Sequence, residues 1–241
     1  MLGVMDMLYG YYYSDWYYML GYILVGIGVL VMALAQAKVS SAYKKYASVP
    51  NSKQMTGRDV AFEILQQNGL SYVQINEVSG HLSDHYNPGK NTLNLSSDVY
   101  HGRSIAALAV AAHDCGHALQ HKEGYKPLVV RNAIVPVCNI SQNIGWIAIV
   151  AGLMLGKISI AWFGVLLMSV MLLFQLITLP VEFDASSRAL SILNDRYLMD
   201  SEYSGAKSML TAAALTYVAG VLSTLLSLLR IVLIVLSNDR D

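Results

Sequence analysis

Charge is scarce in this chain: 13% of its 241 residues are Asp, Glu, Lys or Arg, and the two signs cancel to a formal net charge of zero. Bulk electrostatics therefore favour neither a nucleic-acid partner nor an acidic one. Cysteine is nearly absent as well. Cys115 and Cys138 are too few for a disulfide framework, and both read as reduced thiols. The segment from Met1 to Trp16 holds no Lys or Arg. A cleaved signal peptide opens on a basic segment, so none is expected here.

What the chain has in quantity is apolar residues, 55% of the total, gathered in long blocks. Blocks at 17–37, 140–156, 158–179 and 212–236 have the length and character of membrane spans, and the chain reads as an integral membrane protein. Tyr9, Tyr11, Tyr12, Tyr13 and Trp16 precede the first block, where an aromatic belt at the membrane interface would lie; a patch for a partner protein is the rival reading. Lys38, Lys44, Lys45, Lys53 and Arg58 follow it directly. Basic residues gather on the cytoplasmic side of spans, so the polar region after the first span is expected in the cytoplasm and the amino terminus outside. Arg188, Arg196 and Lys207 repeat the pattern before the last block, which Arg230 interrupts and which ends in a tail expected outside.

The expected organisation is an amino-terminal segment with the first span (1–37), a polar cytoplasmic domain (38–133), two spans (134–179), a cytoplasmic helical segment (180–211), and a last span with its tail (212–241). Within the polar domain, Thr56 introduces a helix that ends at Asn68-Gly69. Residues 70–78 alternate loosely like a strand, and 81–95 read as a hairpin turning at Asn87-Pro88-Gly89. Asp84, His85 and Tyr86 lie on that hairpin, either as chemical groups or as ordinary polar residues. Its edge could take up an extended peptide. Pro127 and Pro136 are expected to interrupt the stretch leading to the second span. Asn139, Ser141, Gln142 and Asn143, near its cytoplasmic end, serve either helix contacts or an opening.

The most informative stretch is His113-Asp114-Cys115-Gly116-His117, preceded by nine residues without proline that favour a helix. On a helix the two imidazoles project one turn apart from one face, where both can reach one metal ion, and zinc is the usual occupant. Asp114 would face the water that such a site activates. This is the H-E-x-x-H arrangement with Asp in the Glu position. Two histidines four apart can also be a plain surface or core feature. Against that, the helix is apolar nearly all round and must be buried, where an unsatisfied histidine is costly. Gly116 weakens the helix and signals close packing at that turn. His117 with His121 is a rival pair, but no carboxylate follows His117. A catalytic zinc needs a third protein ligand; Glu182, Asp184, His85, His101, His121 and Glu123 are the candidates. Glu182 could instead be an acid at the start of a surface helix.

Three blocks in order, Leu82-Ser-Asp-His-Tyr-Asn-Pro88, Val99 through the histidine motif to Gln120, and Leu179-Pro-Val-Glu-Phe-Asp-Ala-Ser-Ser-Arg-Ala-Leu190, resemble the bacterial membrane neutral zinc metallopeptidases, the YugP-like proteins. The likeness covers most of 38–198. It implies a mainly α membrane protein with about four transmembrane helices and a small cytoplasmic α+β zincin-like domain, multi-pass in the bacterial cell membrane. It further implies that His113, His117 and Glu182 ligate zinc, that residue 114 is the general base, and that the protein is a zinc-dependent metalloendopeptidase acting on a peptide or protein substrate. Residue type and nearness to the motifs, rather than the resemblance, add His85, Tyr86 or Arg188 as groups to help hold the oxyanion. The family pattern has Glu where this chain has Asp114. The shorter side chain leaves three accounts open: a site drawn closer, a slow enzyme, or an exchange that quiets it. A zinc-stabilised scaffold or pseudoprotease that binds without cutting is the alternative. Haem held by His113 or His117 is weaker, since axial pairs usually come from facing helices.

Overall fold

The computed structural model describes residues 2–239, with side chains from Trp16 onward. The side chains of Tyr9, Tyr11, Tyr12 and Tyr13, and the tail residues Arg240 and Asp241, lie outside the described residues. The elements follow in the order α1 (Leu2–Ala47), α2 (Gly57–Gln67), β1 (Gln74–Val78), β2 (His85–Asn87), β3 (Thr92–Ser96), α3 (Ser97–Tyr100), α4 (Ile105–Lys122), α5 (Lys126–Met154), α6 (Ile158–Arg196) and α7 (Asp200–Asn238).

Among the described residues four helices are long and apolar enough to cross a membrane: Trp16–Ala47 of α1, then α5, α6 and α7. The fold is thus mainly helical with a small sheet, as expected, but the helices outrun the apolar blocks. At 1.5 Å per residue the 39 residues of α6 reach about 58 Å, roughly twice the thickness of a hydrocarbon core. Neither Pro136 nor Pro180 ends its helix, which corrects the interruption expected at Pro136. Each proline removes one N–H and frees the carbonyl four residues earlier, and the chain absorbs that local loss without leaving the helical path.

Two compact units divide the chain. One comprises 1–34, 131–177 and 217–241; the other comprises 35–130 and 178–216. In the first, Ile149 of α5, Ala161 and Val165 of α6, and Ile231 and Val235 of α7 form a small core. A Cβ on Gly164 would stand 2.6 Å from the Gly145 carbonyl oxygen, so α5 and α6 touch through backbone. Small residues allow such contact between apolar helices. Of the most apolar window of each long helix, 11 to 28% is buried within the protein. The remaining apolar side chains face outward, which water would penalise and lipid does not.

The second unit is built around α4. Ile105, Ala106, Leu108, Ala109, Ala111, Ala112, Cys115 and Ala118 of that helix are buried in one core with Val60, Ile64 and Leu65 of α2, Leu93 and Leu95 of β3, and Ala189 and Leu193 of α6. Side chains cap α2 and α4 at their amino ends. Thr56 Oγ1 accepts from Asp59 N at 3.0 Å while Asp59 Oδ2 accepts from Thr56 N at 3.1 Å, a closed capping box for α2. Ser104 caps α4. The sheet order is β1-β3-β2, with β1 parallel and β2 antiparallel to β3. Strand β1 starts at Gln74 rather than at residue 70, because Leu70 and Val73 are spent closing the end of α2 and filling the core.

Candidate metal centre

Helix α4 carries His113 and His117 on one face, and α6 brings Glu182 against them. His113 Nε2 lies 3.4 Å and His117 Nε2 3.6 Å from Glu182 Oε2. The two imidazoles meet edge to face, with centroids 4.8 Å apart and planes at 84°. Glu182 is 3% exposed and its Oε2 has no hydrogen-bond partner. A buried carboxylate oxygen without a hydrogen bond is costly unless a cation or a protonated imidazole meets it. Ligands at about 2.1 Å on a tetrahedral zinc stand roughly 3.4 Å from one another. The two N···O separations match that spacing, and two imidazoles with one carboxylate are a donor set that zinc accepts. Among the described residues these three form the group of metal-ligating side chains that converges, their ligand atoms all within 4.8 Å of one another.

Backbone contact makes this convergence possible. A Cβ on Gly116 would meet the Ala185 carbonyl oxygen at 2.7 Å and its Cα at 3.1 Å. Only a bare backbone at Gly116 lets α6 lie this close to α4, and Glu182 sits one helical turn before the point of contact. The glycine inside the histidine motif therefore sets how near the third ligand comes.

The outer nitrogen of each imidazole is also held. His113 Nδ1 lies 3.1 Å from Ser186 Oγ, and His117 Nδ1 3.0 Å from Gln120 Oε1. With Nδ1 engaged, Nε2 is left to face Glu182. Burial lowers the pKa of His113, against the pull of Glu182. Burial acts the same way on His117, but there Glu182, Asp114 and Gln120 together outweigh it and leave the pKa raised. Burial pushes the Asp114 carboxyl up to about 8, with His117 drawing it down and Asp84 and Glu182 adding to the rise. A divalent cation in the group would work against that rise.

The other candidates are spoken for. His121 Nδ1 is 2.9 Å from the Tyr86 hydroxyl, which separates it from the rival pairing with His117. Asp184 accepts from Gln120 Nε2 and Arg188 Nε, at 2.8 and 2.6 Å. Glu123 takes the other end of Arg188 at 2.7 Å, and His101 pairs with Glu77 at 3.3 Å. His85 is engaged on both ring nitrogens, by the Ser83 carbonyl and by Asn94 Nδ2. To help an oxyanion, His85 or Tyr86 would have to leave a partner, whereas Arg188 has guanidinium N–H groups beyond the two its carboxylates take. Cys115 is turned toward α2, its Sγ 3.8 Å from the Ala61 carbonyl, and both cysteines are free thiols as expected.

Gln120 and Ser186 escaped the reading of the sequence. Their spacing was the available signal: Gln120 follows His117 by three residues and Ser186 follows Glu182 by four, each one turn along the same helix face.

A family model described as "Putative neutral zinc metallopeptidase" matches residues 21–236. A curated protein, "Putative membrane protease YugP" of Bacillus subtilis (strain 168), is 46% identical over 208 residues, which is 86% of this chain and 92% of that protein. No solved structure matches the chain at a significant level. Four long apolar helices among the described residues, a converging His-His-Glu group and a match along nearly the whole length agree: this chain is a membrane protein and belongs to the neutral zinc metallopeptidase family.

Proposed function

We propose that this protein is a membrane zinc metallopeptidase that hydrolyses peptide bonds at the cytoplasmic face of the bacterial cell membrane. The observation that carries the reading is the convergence of the buried Glu182 Oε2, which makes no hydrogen bond, to 3.4 and 3.6 Å from the two imidazole nitrogens of a motif that also supplies a carboxylate, Asp114. His113, His117 and Glu182 would hold zinc. When bound, zinc supplies a Lewis acid that polarises a carbonyl oxygen and lowers the pKa of water. Asp114 takes the proton of the attacking water and returns it to the departing amine nitrogen. Burial alone would keep Asp114 protonated near neutrality. A divalent cation held by the neighbouring histidines would favour the ionised form that a base needs.

Aspartate is one methylene shorter than glutamate, a reach of about 1 Å, and misplacement on that scale can cost about 100-fold in rate. The chain is accordingly a slow version of the family chemistry. The unit formed by 35–130 and 178–216 is its peptidase domain, and twelve of the sixteen Lys and Arg fall there. That bias supports the cytoplasmic side. The other unit is the anchor in the lipid bilayer, and the substrate is a peptide or protein.

Metal analysis combined with a casein-cleavage assay on the purified full chain tests the reading. The expected result is about one zinc per chain and slow cleavage that a chelator stops. If the chain and its Asp114→Glu form both hold zinc and neither cleaves, the protein is a zinc-stabilised scaffold instead.

A further inference from the structure

Gln120 is completely buried, 0% exposed, and its carboxamide is saturated. Oε1 faces His117 Nδ1 at 3.0 Å, while Nε2 donates to the Val181 carbonyl oxygen and to Asp184 Oδ2, both at 2.8 Å. Two of these partners leave no freedom. A backbone carbonyl can only accept, and Asp184, which also takes Arg188 Nε at 2.6 Å, is an acceptor too. The amide nitrogen must therefore point at Val181 and Asp184, so the amide oxygen must point at the imidazole. An oxygen there requires a proton on His117 Nδ1. Ser186 beside His113 exerts no such demand, because a hydroxyl can donate or accept.

We propose that Gln120 is a positioning residue of the metal centre: its amide holds His117 in the Nδ1–H tautomer, with the Nε2 lone pair on the ligand side. Through Val181, the residue before Glu182, it also ties that ring to the turn carrying the third ligand. One side chain thus couples two ligands on different helices. Asp184, Arg188 and Glu123 extend the support, since Glu123 lies just past the end of α4 and its salt bridge to Arg188 clasps α4 to α6 again. Arg188 serves here as a strut. The inference rests on His113, His117 and Glu182 being a metal site, and the first measurement below is independent of that reading.

In the full chain in detergent micelles, ¹⁵N-histidine NMR of the metal-free protein, at a pH where the ring is neutral, should show His117 protonated at Nδ1 and bare at Nε2. The opposite tautomer overturns the proposal. Zinc affinity, read by competition with a chromophoric chelator, and the visible spectrum of the cobalt form then test the coupling. Loss of an outer-shell partner typically weakens metal binding 10- to 100-fold. Gln120→Glu, which sets a carboxylate against Val181 and Asp184, should weaken zinc by about that factor. Asp184→Asn alone should change it by about threefold or less. The double variant, in which an amide again opposes a carboxylate at residue 184 while the Val181 carbonyl stays opposed, should recover part of the loss and move the cobalt spectrum back toward the parent's. Gln120→Glu binding zinc as the parent does, or a folded double variant with no recovery, overturns the proposal. Should Gln120→Glu fail to fold, the tautomer measurement on the parent still decides. Absence of zinc from the parent would instead refute the metal reading, leaving the tautomer result to stand on its own.

Discussion

Gly116→Ala adds one methyl group at the closest approach of α4 to α6, and its consequences can be worked from the contacts. The new Cβ would stand 2.7 Å from the Ala185 carbonyl oxygen, 3.1 Å from its Cα and 3.2 Å from its carbonyl carbon. All three atoms are backbone, so no side chain can swing aside. Restoring ordinary contact moves the helices apart by roughly 0.5–1 Å. Stability should change little. Ala gains about 1 kcal/mol over Gly in helix propensity, while overpacking costs about 1–3 kcal/mol, for a net loss of about 0–2 kcal/mol. The metal centre has less tolerance, because ligand distances hold within about 0.2 Å. Glu182, one turn before Ala185, retreats with α6 while both histidines stay on α4. Zinc affinity should therefore fall at least tenfold although the metal-free protein unfolds within a few degrees of the parent. Chelator competition and thermal unfolding of the same preparation measure the two effects. Unchanged zinc affinity in a folded Gly116→Ala protein would refute the claim that this contact sets the distance between the ligands.

Changing His113, His117 or Glu182 to Ala should each remove the zinc found by metal analysis; full retention in Glu182→Ala would move the third ligand elsewhere. Asp114→Glu should leave zinc content unaltered and raise peptidase activity by up to about 100-fold, the cost assigned to a 1 Å deficit in reach. A fall in activity would mean that the site has adapted to aspartate. Cysteine labels placed at the amino terminus should react from outside intact cells while labels near Lys53 should not, and the reverse pattern would overturn the cytoplasmic assignment. Tyr197 supplies a pH prediction away from the metal. Burial, aided by Glu63 at 3.0 Å, pushes its phenol up to about 12. Its folded pKa lies above the ordinary value of about 10, so the stabilisation is complete below pH 10 and is lost as pH rises through 12. Tyr197→Phe should flatten that alkaline decline in unfolding midpoint, and an unchanged decline would exclude Tyr197 as its source.

Local rules carried the sequence a long way. Thr56 and Asp59 close a capping box using residues three apart, and residues 81–95 fold back at Asn87-Pro88-Gly89, because both depend on chemistry within a few residues. The apolar blocks marked the four long helices by composition alone, and the four-residue spacing of His113 and His117 already placed their imidazoles on one face of α4. Where those helices stop was not legible. Composition tracks what lipid tolerates, whereas backbone hydrogen bonding carries α6 beyond the apolar block, through Pro180, to Arg196. Choosing Glu182 over Asp184, His85, His101, His121 and Glu123 required either resemblance to a family or the folded chain. From the residues alone Glu182 stood first, because it follows the third span on the side of the histidine helix, but nothing excluded the others. The approach of α6 to α4 at Gly116 separates them, setting Glu182 Oε2 against both imidazoles without a hydrogen bond while each of the others is engaged elsewhere. Gln120 illustrates the same limit. Its position one turn after His117 is written in the chain, but its direction is imposed by Val181 and Asp184, more than sixty residues away in sequence. Periodicity determines which side chains share a face, and tertiary packing determines which faces meet.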